Sequence, residues 1–286
     1  MSIKRVLFIR NAFLDSAPFK FIEQQFVKEA NLLGIDVVVK KNADYIIPSS
    51  FKNQPKVCVF WDKDVNLAVG LVNSGVHVMN SPEAIMLCDD KTKTFLMLND
   101  KVPQPDTLIC PKSFATVGYS KIDFLYEAIE FLGLPFVLKE GFGSYGEQVY
   151  LINNAEEAEE LVKNNADKPL LFQRFIKESA GRDLRVYVVG GKVVAAMERQ
   201  NMFGDFRSNH KGESKSLNYD ITSEQEKIAI KACDVLGVDF AGVDILFSSQ
   251  GPLVCEVNSN AHFGRLIETT GKNPAKKIAE LVLDRL

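Results

Sequence analysis

The sequence predicts an α/β N-terminal domain followed by a larger α+β unit, and three observations carry that prediction. Through residue 88, short apolar strands alternate with amphipathic helices, the order of a small doubly wound sheet. Beyond that point hairpins replace strand–helix units. Between the two, residues 101–111 carry Pro103, Pro105 and Pro111 and read as an extended connector. At 286 residues the chain has room for more than one packed unit.

In order, residues 5–9 form an apolar strand, and Phe19, Ile22, Phe26, Ala30 and Leu33 keep helical spacing until Gly34 ends the helix. Strands follow at 35–39, 57–61 and 76–79, with a helix near 65–72. Ser81 and Pro82 supply an N-cap and a first helical residue. The second part carries hairpins within 138–152 and 185–198. Its helices fall near 122–132, 155–164, 223–236 and 274–286. Ser223 with Glu226 reads as a capping box, and Asn273 with Pro274 caps the last helix. No internal repeat or low-complexity tract interrupts the pattern.

Composition excludes several classes. With 46% hydrophobic and 25% charged residues the chain is an ordinary globular sequence, and its net charge of -3 gives no overall attraction for nucleic acid or anionic membrane. Cys58, Cys88, Cys110, Cys233 and Cys255 are scattered and lack any Cys-x-x-Cys pair, so they read as reduced core thiols. No apolar run reaches the length of a membrane span, and the first strand begins without a signal-peptide pattern. A cytoplasmic protein is expected.

The sharpest chemical signal is a hairpin near the C-terminus. Residues 240–247 and 253–258 read as strands and 248–252 as their turn. If Phe247 faces Leu253, Asp244 faces Glu256, and Asn258 shares their face while Val243, Ile245, Phe247, Cys255 and Val257 point into the core. Two opposed carboxylates repel unless a cation lies between them, and an all-oxygen donor set suits Mg²⁺ or Mn²⁺. The competing reading is a solvated face that carries two acids by chance.

A second signal is a glycine loop. Gly141, Gly143 and Gly146 spell G-x-G-x-x-G, but residues 147–152 continue as a strand, so the loop joins two antiparallel strands instead of opening a dinucleotide-binding helix. Lys139 ends the incoming strand, as a phosphate-covering loop would use it. An ordinary glycine-rich bend is the alternative. Lys91, beside Asp89, Asp90 and Lys93, reads alone as a surface charge cluster. Asp183, between Arg182 and Arg185, suits ribose hydroxyls or a surface ion pair. Residues 204–210 form a polar loop of the length that often carries function.

Together these pieces resemble the ATP-grasp superfamily, and most closely its RimK-type carboxylate–amine ligases, over residues 89–286. The most specific segments are 204–209, 241–246 and 251–258, followed by Thr269, Thr270 and Gly271. The resemblance implies a preceding α/β domain over 1–88, a two-part ATP-grasp domain with a lid at about 112–176 and a metal-binding part at about 177–286, and ATP between the parts. By position, Lys91 and Lys139 would hold phosphates under Gly141, Gly143, Ser144 and Gly146. Gln173, Arg174, Phe175 and Ile176 would meet adenine. Asp183 would bind ribose, Arg207, Ser208 and Asn209 the phosphates, and Asp244, Glu256 and Asn258 two Mg²⁺ or Mn²⁺ ions. Two departures stand out: Arg174 replaces a usual acidic residue, and Ser259, Asn260, Ala261, His262 replace a usual Ser-Pro-Gly turn.

The implied activity joins an amino acid, glutamate in that family, to an amine or carboxylate acceptor through an acyl phosphate. The acceptor would be a peptide, protein or small molecule. Arg207, Lys139 and Arg185 are the candidate catalytic residues, and Arg185 and Arg265 the candidate grips for a substrate carboxylate, with a salt-bridged surface arginine the equal alternative for either. A homo-oligomer is compatible with the sequence. Trp61 reads as a packed core aromatic in preference to a ligand contact, His77 as structural or surface, and His262 as a packed or orienting residue in preference to a base. Two other functions stay open: a kinase of the same superfamily acting on a hydroxyl acceptor, and a noncatalytic ATP-gated binding module.

Overall fold

The structure is a computed structural model that describes residues 4–47, 51–208 and 214–286. The first sheet is parallel, with β1 (Lys4–Arg10), β2 (Ile35–Lys41), β3 (Val57–Trp61) and β4 (His77–Met79) in the order β2-β1-β3-β4. Its helices are α1 (Ala17–Leu32) and α2 (Val65–Asn73). The chain crosses over at β1 and β3, so their carboxyl ends form the crevice where such sheets place ligands. α3 (Pro82–Asp89) and α4 (Lys91–Leu98) lead out. Ser81 Oγ accepts from Ala84 N at 3.1 Å and Asp90 Oδ1 from Thr92 N at 3.0 Å, so each start has its cap.

The lid is an antiparallel sheet of β5 (Thr107–Ile109), β6 (Phe136–Glu140), β7 (Val149–Ile152) and β8 (Leu170–Arg174), ordered β5-β8-β6-β7. α5 (Asp123–Leu132) and α6 (Ala155–Asn164) cover it. The proline-rich connector is therefore not all extended linker. Pro103 and Pro105 lie before β5, whose residues pair with β8, and the lid sheet begins at 107 instead of 112.

The central sheet contains β9 (Arg182–Val189), β10 (Lys192–Asn201), β11 (Ser214–Asn218), β12 (Phe240–Leu246) and β13 (Leu253–Asn258), ordered β11-β10-β9-β12-β13. β11 has no counterpart in the sequence reading, since its residues are mostly polar and half-buried. α7 (Ser223–Leu236), α8 (Gly264–Thr270) and α9 (Pro274–Leu283) complete the unit. The capping box of α7 lies one residue earlier than Ser223 and Glu226: Thr222 is the cap and Gln225 its reciprocal partner. Asn273 caps α9 as expected.

Two one-residue bulges set the sheet's register. In β10, Val193 pairs with Val188 and Ala195 with Tyr187, leaving Val194 extra. In β13, Leu253 pairs with Leu246 and Glu256 with Asp244, leaving Cys255 extra. The turn register is thus one residue off the expected Phe247–Leu253 pairing, and the bulge restores Asp244 opposite Glu256. Cys255 consequently leaves the core pattern, and Val254 is buried in its place. The other four thiols are buried and free.

Cores divide unequally. β1, β3, α1 and α9 share one core with β9, β12 and the segment after β13, in which Trp61 stacks on Phe240 at 5.4 Å and meets Phe263 edge-on. Asn80, fully buried, reinforces this junction. Its amide donates to Phe240 O and Ser259 O, and its carbonyl oxygen accepts from Asp239 N and Phe240 N. The lid has its own core around Leu125, Phe136, Leu138 and Phe172. His77 is exposed at the start of β4, against Arg285. No described helix is long and apolar enough to cross a membrane.

Candidate active site

Cross-strand pairing lines up the chemistry on one face of the central sheet. One row runs Met197, Arg185, Asp244, Glu256 across β10, β9, β12 and β13. The row beside it runs Ser216, Arg199, Asp183 across β11, β10 and β9. A third runs Ala195, Tyr187, Gly242, Asn258. Glu256 and Asn258 occupy alternate positions of β13 and so share this face.

The charges alternate and bond to one another. Arg199 holds Asp183 with two hydrogen bonds, at 2.7 and 2.5 Å, and reaches Asp244 at 3.0 Å. Arg185 holds Asp244 from the other side through Nε and Nη2, the latter at 2.8 Å. All four side chains are buried. Burial alone would raise the Asp244 carboxyl, but the charges and hydrogen bonds of Arg185 and Arg199 outweigh it and keep it below the usual carboxylate range. The same two carboxylates raise Arg199 against its own burial.

Both candidate residues are already partnered. Asp183 accepts from Arg199 and from the Ser208 hydroxyl, the latter at 2.6 Å, which is the ion pair the sequence left open beside ribose binding. Arg185 commits two of its nitrogens to Asp244, which leaves only Nη1 to a further partner. Its Nη1 lies over Gly242, where an added Cβ would sit 3.2 Å away and only 2.5 Å from Ala261 Cβ. Gly242 is the gap through which Arg185 and Ala261 both reach the face. Arg199 was missed because β10 contains a bulge. Counted through the Gly190–Gly191 turn without it, Asp183 would face Glu198; Val194 shifts the register and brings Arg199 opposite.

Three cations tie the lid over this face. Lys139, on β6 and buried, donates to Gln173 Oε1 at 2.7 Å and lies 3.4 Å from Cys255 Sγ, so it spans from lid to bulge. Lys91, first residue of α4, donates to Gly143 O at 3.1 Å and stands 3.7 Å from Glu256. Arg207 donates to Gly146 O at 2.6 Å and is itself held by Asp205 at 2.7 and 2.9 Å. Gly141 sits where α4 meets the lid: its carbonyl accepts from Lys91 N, and a Cβ there would come within 2.9 Å of Asp90 Oδ1. Gly143 and Gly146 have positive φ, and Ser144 N donates to Gln148 Oε1. Lys91 and Arg207 thus both bond to carbonyls of the loop, and Lys139 stands near the end of the strand that leads into it.

The candidate adenine strand is only partly as expected. β8 ends at Arg174, with Phe175 and Ile176 beyond it. Arg174 turns away from the cleft, donating to Asp106 at 2.8 Å and to the Leu132 and Phe131 carbonyls that end α5. The departure at this position therefore has a structural use. Phe175 meets Phe206 edge-on at 6.3 Å. Asn209 lies outside the described residues.

Asp244, Glu256 and Asn258 offer oxygen donors of the type that hard divalent cations take. Asp244 Oδ2 already accepts from both Arg185 and Arg199, and Oδ1 from Arg185 alone, so Oδ1 is the oxygen with a lone pair left for a metal ion. The residues fit a Mg²⁺ or Mn²⁺ site, although among the described residues no group of three His, Cys, Asp or Glu stands together, since the third donor is an amide.

A glycine hairpin closing over a sheet that presents acids and arginines is the ATP-grasp architecture. The ATP-grasp ligase PsnB, solved with a minimal precursor, Mg and ADP, superposes with a TM-score of 0.71 at 16% identity, covering 99% of this chain and 97% of that one. The family model for the RimK-like ATP-grasp domain matches residues 88–282, and the chain belongs to that family. It is 38% identical over 213 residues to a probable alpha-L-glutamate ligase of Aliivibrio fischeri, covering 73% of this chain and 67% of that protein. It is 32% identical over 230 residues to beta-citrylglutamate synthase B of Danio rerio, covering 79% and 55%. The chain thus spans about two thirds of the bacterial relative and about half of the fish one.

Proposed function

We propose that the chain is an ATP-dependent, ADP-forming carboxylate–amine ligase that adds glutamate to a peptide, protein or small-molecule acceptor. The observation that carries this reading is that Lys91 and Arg207 hold the glycine loop while Lys91 reaches Glu256 and Lys139 reaches Cys255, on the strand that carries Glu256 and Asn258 beside Asp244. Glutamate is the part that the names of the two relatives have in common, one an alpha-L-glutamate ligase and the other a synthase of beta-citrylglutamate.

The chemistry follows from the charges. A free carboxylate is a poor electrophile, and phosphorylating it gives an acyl phosphate that an amine can attack. Lys139, Lys91 and Arg207 would exchange their carbonyl and amide partners for phosphate oxygens as the phosphoryl group moves. Bound at Asp244, Glu256 and Asn258, one or two divalent ions would add Lewis-acid stabilisation of the phosphates. The glycine loop would exclude water from the acyl phosphate. Gln173, Arg174, Phe175 and Ile176 would meet adenine through their backbone, and Ser208 and Asn209 the phosphates. Asp183, through Arg199, would hold Asp244 in place. The free Nη1 edge of Arg185 would take a substrate carboxylate.

The test incubates the chain with ATP, Mg²⁺, hydroxylamine and pooled amino acids and peptides, reading ADP and new masses together. Hydroxamate and amide products support the ligase. Phosphorylated hydroxyl products without hydroxamate would indicate a kinase, and bound nucleotide without ADP a binding module. Glu256→Gln, at a partly exposed position, should abolish turnover while shifting stability by less than about 1 kcal/mol. Full activity in that variant would remove Glu256 from the site.

A further inference from the structure

The ligase reading leaves one step without an agent: the amino group of the incoming amino acid arrives as an ammonium ion, and an ammonium has no lone pair with which to attack. Four observations converge on the segment after β13. Ala261 packs into the gap left by Gly242, beside Arg185. Ala261 and Phe263 are both buried, and His262 between them is partly exposed, within reach of the Arg185 charge. Its ring meets Phe19, in the first turn of α1, edge-on at 4.4 Å. α1 starts from the carboxyl end of β1, beside the crevice of the first sheet. His262 thus stands where the N-terminal domain meets the metal-bearing sheet, at the Arg185 end.

The surroundings suit a proton acceptor. Neither ring nitrogen is hydrogen-bonded to a described residue. The charge acting on the ring is that of Arg185 from β9, and Phe19 from α1 contributes none. Burial first and Arg185 second hold the imidazole below its ordinary value, so it is neutral at pH 7 and able to take a proton.

Resting on the ligase reading, we propose that His262 is the general base of the second half-reaction, accepting a proton from the ammonium of the incoming amino acid. One N–H proton of the ammonium passes to an imidazole nitrogen, and the freed lone pair forms the C–N bond at the acyl carbon. The C–O bond to phosphate breaks, and inorganic phosphate leaves with that electron pair, taking up the second proton that the new amide nitrogen loses. The first half-reaction, from ATP to acyl phosphate, does not involve His262.

Hydroxylamine separates the halves, because it is largely unprotonated at neutral pH and attacks an acyl phosphate without a base. In His262→Gln and His262→Asn, amide formation at pH 7 should fall about 10²-fold, with hydroxamate formation unchanged. Raising the pH, which frees the amine unaided, should return the variants' amide rate toward wild type. Amide and hydroxamate falling together, with no recovery at high pH, would make His262 structural and overturn the proposal. So would an undiminished amide rate. A wild-type chain that forms neither product overturns the ligase reading itself, an outcome distinct from either.

Discussion

The N-terminal domain and the lid are both four-stranded sheets with helices on them, yet they are joined to the central sheet in opposite ways. The N-terminal domain shares a hydrophobic core with it, through Trp61, Phe240 and Phe263, and has Asn80 bonded into its backbone. The lid has a separate core, and side chains such as Lys139 and Arg207 tie it across the cleft by polar contacts. Separating a shared core exposes apolar area at about 25 cal/mol per Å². Exchanging a cation's carbonyl partner for a phosphate oxygen is nearly balanced. The difference places motion in the lid and permanence in the junction.

The largest test compares two phenylalanines. Phe240→Ala and Phe172→Ala should each cost about 3–5 kcal/mol, but in different places. Denaturant unfolding with limited proteolysis should show the first opening the N-terminal and central sheets together, and the second opening only residues 107–174. A single cooperative collapse in both variants would erase the distinction.

Next in size, Arg199→Met should cost about 3 kcal/mol, since it leaves Asp183 without its buried partner while Arg185 still holds Asp244. An unchanged denaturation midpoint would mean that the charge rows do not brace the sheet. Gly242→Ala should cost about 2 kcal/mol by forcing Ala261 or Arg185 aside, and turnover should fall further than stability. The smallest effect on stability is expected for Arg207→Met, below about 1 kcal/mol. Its signature is local: without nucleotide, protease should cut within 141–148 faster than in wild type, because Gly146 O has lost its donor. Equal cutting rates would sharpen the comparison by assigning closure to Lys91 alone.

The alternation of strands and helices in the first domain, most helix positions and the facing of Asp244 and Glu256 were legible in the sequence, because each rests on local periodicity or on spacing within one hairpin. What the sequence hid depends on bulges and on long-range partners. Without the extra residue Val194, nothing points Arg199 at Asp183. Without the extra residue Cys255, the turn register misleads by one. For Asp183 and Arg185 the sequence suggested an ion pair or salt bridge but not the partner, since no local pattern reveals that a residue sixteen positions away in one case, or fifty-nine in the other, holds them. Arg174 looked like a defect in base recognition and proves to close the end of α5.

Asn80 has a consequence for how the chain comes to be made. Its four hydrogen-bond partners lie in residues 239, 240 and 259, so a nascent chain that has emerged only through the lid holds a core amide with none of them. Helix α9, which packs on α1, arrives later still. The parallel sheet thus leaves the ribosome before the lid yet must wait for residues made after it, while the lid, cored within itself, is free to fold in between.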